Sequence, residues 1–307
     1  MIVMLLLEKI AALCLILCMG VFLVKIGIMD GKDSKVISAL SVHLIVPCVI
    51  LSAFQMEVTD EMWGGMFLAF FAAIVVNLGM ISADHLLAKR LHLNCVEQVS
   101  IIYSNAGNLV IPIVAAVLGE EWVVYSNAFL AVQMFLLWSH GKCLLCGEKR
   151  TDLRKLFTNV NLLSILAGML FLATGIHFPS PVQDALDSIG QMVGPLAMLV
   201  TGMLIGKINF MQVLKCRRIW MTAVLRLIVF PLPILLCLKY MGNVLPVANG
   251  KTILLITLIA TITPSASTVT QMAQIYGRDA EYAGAINIIT TLLCMVTMPI
   301  MVALYQL

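Results

Sequence analysis

The chain has 307 residues, of which 61% are apolar and only 11% charged, with a mean hydropathy of +1.03 and a formal charge of +3. A soluble domain carries about 25% charged residues, so these proportions exclude a soluble enzyme or binding module and indicate an integral membrane protein. No polar stretch is long enough to fold as a separate soluble domain.

A membrane-spanning helix needs about 20 mostly apolar residues. Ten such segments follow one another, near 5–28, 36–56, 62–86, 98–118, 122–142, 156–178, 188–206, 212–238, 252–275 and 282–305. The first carries Glu8 and Lys9 and has no small-residue cleavage site after it, so it is expected to be a retained span rather than a leader. The second holds His43, able to titrate near neutral pH or simply a structural histidine, followed by Pro47. The fourth contains "YSNAGNLVIP" (103–112), and the fifth Asn127 and Gln133. A basic connection, "KCLLCGEKRTDLRK" (142–155), separates the fifth and sixth. Its Cys143 and Cys146 form a CxxC without a second pair or nearby His, which does not make a zinc set. The remaining cysteines lie mostly in apolar segments as small hydrophobes, with no disulfide framework.

Pro195 lies in the seventh span, and the eighth carries Arg226 with Pro231 and Pro233 just beyond. At 1.5 Å per residue Arg226 is roughly 12 Å in from the Arg217–Arg218 end. It either faces an anionic substrate or snorkels back to the interface. The ninth span contains "TITPSASTVTQ" (261–271) and the tenth Asn287.

Alternate connections hold fifteen Lys and Arg residues on one side and three on the other, with Arg226 inside a span. Cytoplasmic loops carry the positive excess. The protein is therefore expected in a plasma or inner membrane, both termini outside and the 142–155 loop in the cytoplasm. These basic residues serve topology, and no nucleic-acid partner is indicated. The loop falls between five spans and five, dividing the chain into 1–145 and 156–307. An odd number per half requires any repeat to be inverted. A shift of 158 positions pairs Gly119 with Gly277 and Glu121 with Asp279, and lays the fourth-span motif over "TPSAST".

Interrupted polar segments at matching places in two halves point to a transport site, where half-helix N-termini favour anions. Asn105, Asn108 and Ser265 are expected as polar contacts, with Gln133, His43 and Arg226 lining the same site. Gly107, Pro112 and Pro264 are expected to make the helix breaks. No Asp or Glu stands mid-span, which weakens an ion-coupled mechanism, although backbone carbonyls at a break can hold Na+. HExxH, GxSxG and paired intramembrane Asp are absent, arguing against a hydrolase, and no cofactor is indicated. A channel or sensor built on the same helices is the remaining alternative.

"SVHLIVPCVILSAF", "YSNAGNLVIPIVAAVLGEE", "VLRLIVFPL" and "TPSASTVTQMAQIYGRDAEYAGAINIITTLLCMVTMPI" together resemble the auxin efflux carrier family of membrane transporters, over nearly the full length. The resemblance implies an all-α fold of ten helices in two inverted five-helix repeats, shared with bile-acid symporters. Helices one, two, six and seven would form a scaffold, and three to five and eight to ten a moving transport unit. Broken helices four and nine would cross above the substrate. An Asn seven residues before the crossover Pro contacts substrate in plant members, and Asn105 matches it; Gln133 is similar in placement to a Gln one helix later. The central loop is short here, whereas plant members have a long hydrophilic one. Bacterial members are associated with small carboxylates such as malate or malonate, so the resemblance implies organic-anion transport by elevator-type alternating access, with a sodium- or proton-coupled symporter as the alternative. A homodimer through the scaffold is a further implication.

Overall fold

The computed structural model describes residues 2–55, 62–147, 159–206, 213, 215–245 and 247–307, and contains no strand among them. Among the described residues, six helices are long and apolar enough to cross a membrane: α2 (Ser34–Ala53), α3 (Trp63–Leu91), α6 (Val123–Cys146), α8 (Ser180–Ile205), α9 (Arg217–Val244) and α12 (Ala280–Gln306). Between them stand α1 (Ile2–Lys25), α4 (Cys95–Ile102), α5 (Ala106–Val117), α7 (Val160–Thr174), α10 (Gly250–Thr261) and α11 (Ser267–Ile275). The pairs α4/α5 and α10/α11 are the two expected interrupted segments. Of the expected linker 142–155, residues up to Cys146 continue α6, and the part beyond Gly147 lies outside the described residues.

Several boundaries differ from the hydropathy reading, most at α3, α8 and α9, the last running to Val244 rather than 238. α3 continues past residue 86 to Leu91, because "DHLLAKRL" is polar but helix-favouring; it stops at His92, which takes the left-handed conformation. α8 starts at Ser180 rather than near 188, with Pro181 in its first turn where a missing N–H costs nothing. Elsewhere the caps agree with local chemistry. Asn94 and Glu97 form a reciprocal capping box on α4, and Asp279 accepts from Tyr282 N at the start of α12.

Two of the prolines inside spans leave a recognisable trace. The backbone widens to a π-turn at Ser41–Ile45 ahead of Pro47 and at Leu225–Val229 ahead of Pro231. A proline ring clashes with the carbonyl four residues back, and adding a residue to the turn relieves it. In α9 this also turns Arg226 inward.

The core is mostly apolar, with buried polar groups gathered around the two breaks, and small residues set the closest approach. α1 and α8 touch backbone to backbone at Gly20 and Gly202: a Cβ on Gly202 would collide with Leu17 O, and one on Gly20 with Leu199 O. In lipid, such close contact replaces the hydrophobic drive for helix association. Gly202→Val is expected to lower the melting temperature of the detergent-solubilised protein by several degrees, because backbone cannot yield as a side-chain tip would. An unchanged melting temperature would show that the pair can separate without loss.

Candidate functional site

The two interrupted segments meet at their breaks. Between α4 and α5 the chain leaves the helix at Tyr103, which is extended, and Ser104 pairs with Ser265 in a single antiparallel bridge before Asn105 caps α5. Asn105 N donates to Pro264 O at 2.9 Å, and Ala266 N donates to Tyr103 O at 3.0 Å. Each break thereby supplies partners for backbone groups that the other leaves exposed, as a low-dielectric interior demands.

Both breaks are braced by the helix that follows. Gln133 of α6 wraps Ser104, accepting from its N (3.0 Å) and Oγ (2.5 Å) and donating to its O (2.8 Å). On the other side Asn287 of α12 donates to Ser265 O at 2.7 Å, and Ser265 N donates to Thr290 Oγ1 at 3.2 Å. Gln133 and Asn287 thus do matching work in the two halves.

Arg226 locks the assembly from the side of α4 and α10. It is fully buried, and its guanidinium donates to Ile101 O (2.8 Å), Ile102 O (3.4 Å), Thr261 O (2.7 Å) and twice to Thr263 O (3.0 and 3.2 Å). These are carbonyls that the ends of α4 and α10 cannot satisfy internally. Neither sequence reading of Arg226 describes this geometry. The side chain does not snorkel, and its donors point at backbone rather than into a cavity. Its charge still stands next to the breaks, with no carboxylate bonded to it among the described residues.

Pro112 is placed differently from expectation. It lies inside α5, seven residues beyond the first break, whereas Pro264 lies within the second. The first break is made without proline, by the bridge to Ser265 and the Gln133 brace. What Pro112 does is deprive Asn108 O of its helical donor four residues on. The carbonyl that Pro264 frees in the same way, Ala260 O, is taken up by Thr263 Oγ1 at 3.0 Å.

On the side of α5 and α11 the site opens. Asn105 and Asn108 lie one turn apart, with Asn108 Nδ2 donating to Asn105 Oδ1 (2.9 Å) and Ser267 Oγ (3.2 Å). Asn105 Nδ2 and Ser265 Oγ are buried and have no hydrogen-bond partner. Asn105, Asn108, Gln133 and Thr268 line a cavity of about 20 Å³, room for a water. It shares Val49, Gly107, Asn108 and Val193 with an open cleft of about 660 Å³, large enough for a small organic molecule. Asp187 stands on the wall of that cleft, hydrogen-bonded by Ser52 Oγ and by Gln183 Nε2. Asn127 also lines it and donates to Ala53 O.

The structure therefore brings together Asn105, Gly107, Asn108, Gln133, Pro264 and Ser265. It sets His43 apart, exposed on the outer face of α2 beside Leu40 and Leu44.

The family model described as a membrane transport protein matches residues 5–151 and 149–302. The chain belongs to the auxin efflux carrier family of membrane transporters. No curated protein matches it.

Three polar residues of this carrier escaped the sequence reading. Asp84 is 2% exposed, and its Oδ1 lacks a hydrogen-bond partner. Tyr103, at the first break, places its hydroxyl 2.9 Å from both Leu136 O and His140 Nδ1. A signal for Asp84 was present: Asn77, Met80 and Asp84 recur at helical spacing and share the buried face of α3. Treating residue 86 as the end of the span hid it. Asp84 lies about two turns from the end of α3, so a buried carboxylate stands within the span although not at its middle.

Proposed function

We propose that this transporter is a secondary carrier of small organic anions, mono- or dicarboxylates such as malate or malonate, working by elevator-type alternating access. The observation that carries the reading is the unpartnered Asn105 Nδ2 beside the converging N-termini of α5 and α11. An amide donor with nothing to donate to, buried where two half-helices present positive ends, suits a carboxylate. The buried charge of Arg226 adds to the same field; two unit charges 10 Å apart interact by about 1.7 kcal/mol at an effective dielectric of 20.

The helix contacts support two inverted repeats, the first comprising α1 to α6 and the second α7 to α12. α1 packs on α8 as α7 packs on α2; α3 packs on α6 as α9 packs on α12; α4 meets α12 as α10 meets α6. Each statement becomes its partner when the halves are exchanged, which is what a two-fold relation requires. In this reading α1, α2, α7 and α8 are the scaffold and the rest is the moving unit, with the α4/α5 and α10/α11 segments crossing at their breaks.

The two halves then differ in one respect. α5 faces the scaffold across the 660 Å³ cleft. Its counterpart α11 is fastened to α2, with Gln271 Nε2 3.0 Å from Ser41 Oγ and the Gln274 amide 2.7 Å from Ser38 Oγ and 2.5 Å from Ser34 Oγ. The cleft side is the one poor in Lys and Arg, so the conformation reads as outward-open and closed to the cytoplasm. Moving the unit must separate α11 from α2. Oxidative cross-linking of a Ser38→Cys, Gln274→Cys pair is expected to stop exchange of labelled malonate across proteoliposomes, with recovery on reduction. Full exchange by the cross-linked protein would contradict the elevator.

A further inference from the structure

Asp84 and the bonded pair Tyr103–His140 are groups that nothing above uses. Tyr103 Oη contacts both Leu136 O and His140 Nδ1 at 2.9 Å. Both bonds hold at once only if the phenol donates to the carbonyl and His140 Nδ1–H donates to the phenol. Asp84 is on the buried face of α3, which packs on α4 and α6, and its Oδ1 has no partner. Tyr103 O in turn accepts from Ala266 N, so this pair is mechanically joined to the crossing.

The other groups packed on this part of α3 are few. α4 contributes Cys95 and Glu97, α6 adds Lys142, Cys143 and Cys146, and α10 has only Lys251 at its opposite end. Glu97 is already held by Arg218, at 2.6 and 2.7 Å, and by Tyr282 Oη at 2.7 Å. On α3 itself His85, Lys89 and Arg90 are exposed.

The buried charges of the moving unit then sum simply. Among the described residues they are Arg226, Asp84 and Glu97, and Glu97 is neutralised by Arg218. Arg226 balances an ionised Asp84 when the unit is empty. A bound monoanion would leave one uncompensated negative charge, unless Asp84 takes a proton. Carrying net charge through a low-dielectric layer is costly, so the neutral combinations are the ones that move.

We propose that Asp84, with the Tyr103–His140 pair, is a proton-binding site that makes transport a symport of one proton with one singly charged carboxylate. This rests on the carrier function proposed above. The empty unit returns with Asp84 ionised; the loaded unit crosses with Asp84 neutral, and the proton leaves with the substrate.

The test uses the purified protein in proteoliposomes, with labelled malonate and a pH dye inside. Counterflow at equal pH reads carriage alone, and net uptake under a pH gradient reads coupling. Malonate is mostly a dianion near neutral pH, so carrying its monoanion with one further proton moves two protons per malonate and corresponds to about a hundredfold accumulation of total malonate per pH unit. The wild type is expected to accumulate malonate towards the alkaline side and carry protons with it. Asp84→Asn is expected to keep counterflow and lose both responses, and His140→Gln to weaken them. Counterflow with no response to the gradient in the wild type, or full accumulation by Asp84→Asn, would overturn the proposal. Absent counterflow in the wild type would instead count against malonate as substrate. The melting temperatures of wild type and Asp84→Asn between about pH 5 and pH 8 would then decide for the proton site. A pH dependence confined to the wild type supports it, and identical profiles overturn it.

Discussion

Arg226→Gln is expected to cost the protein much of its stability and all of its transport. The guanidinium makes five hydrogen bonds to the carbonyls of Ile101, Ile102, Thr261 and Thr263. Glutamine is too short to reach both helix ends and has a single donor group. A buried polar atom left unpaired costs about 1–3 kcal/mol. With most of four carbonyls stranded, the loss reaches roughly 4 kcal/mol or more, against a net stability of about 5–15 kcal/mol for a typical fold. Arg226→Lys keeps the charge but not the planar fork, and should fall between the two. Melting curves of the three proteins in detergent check this. A glutamine variant as stable as wild type would mean that the carbonyls find other partners.

Asn105→Ala is expected to do the reverse, sparing the fold and removing the ligand. Its side chain gives up one hydrogen bond from Asn108 Nδ2 at 2.9 Å, offset by removal of a buried Nδ2 that had no partner. The backbone bond from Asn105 N to Pro264 O is untouched by the substitution. The apo melting temperature should therefore move little. A hydrogen bond to a charged group is worth about 1.5–3 kcal/mol, so affinity for the carboxylate should fall about tenfold to a hundredfold. Stabilisation of each protein by graded malate or malonate reads this directly. Equal stabilisation of mutant and wild type would remove Asn105 from the binding site.

How much of this was legible in the sequence depends on the scale of the feature. Composition alone indicates a multi-pass helical membrane protein, because lipid leaves so few ways to satisfy a backbone. The place of the two interruptions was also readable, since "SNAGN" and "TPSAS" are unlike anything around them. What was not readable was how each interruption is made. Pro112 looks like the cause of the first, yet the break lies at Tyr103–Asn105, imposed by partners 29 and 161 residues away. Arg226 was conspicuous, but its use as a cap for two distant helix ends depends on a π-turn that only tertiary packing reveals. His43 shows the opposite failure, a polar residue placed mid-span by sequence that the fold turns outward. Asp84 was concealed by the boundary of its span; hydropathy finds where apolar residues stop, not where the helix does.

The central claim is that the paired breaks form a saturable site for small carboxylates. Uptake of labelled malonate and malate into proteoliposomes tests it most directly, comparing wild type with Asn105→Ala. The account predicts saturable uptake, stimulated by unlabelled substrate on the opposite side and lost in the variant. Uptake that rises linearly with concentration, or that Asn105→Ala leaves unchanged, would contradict it.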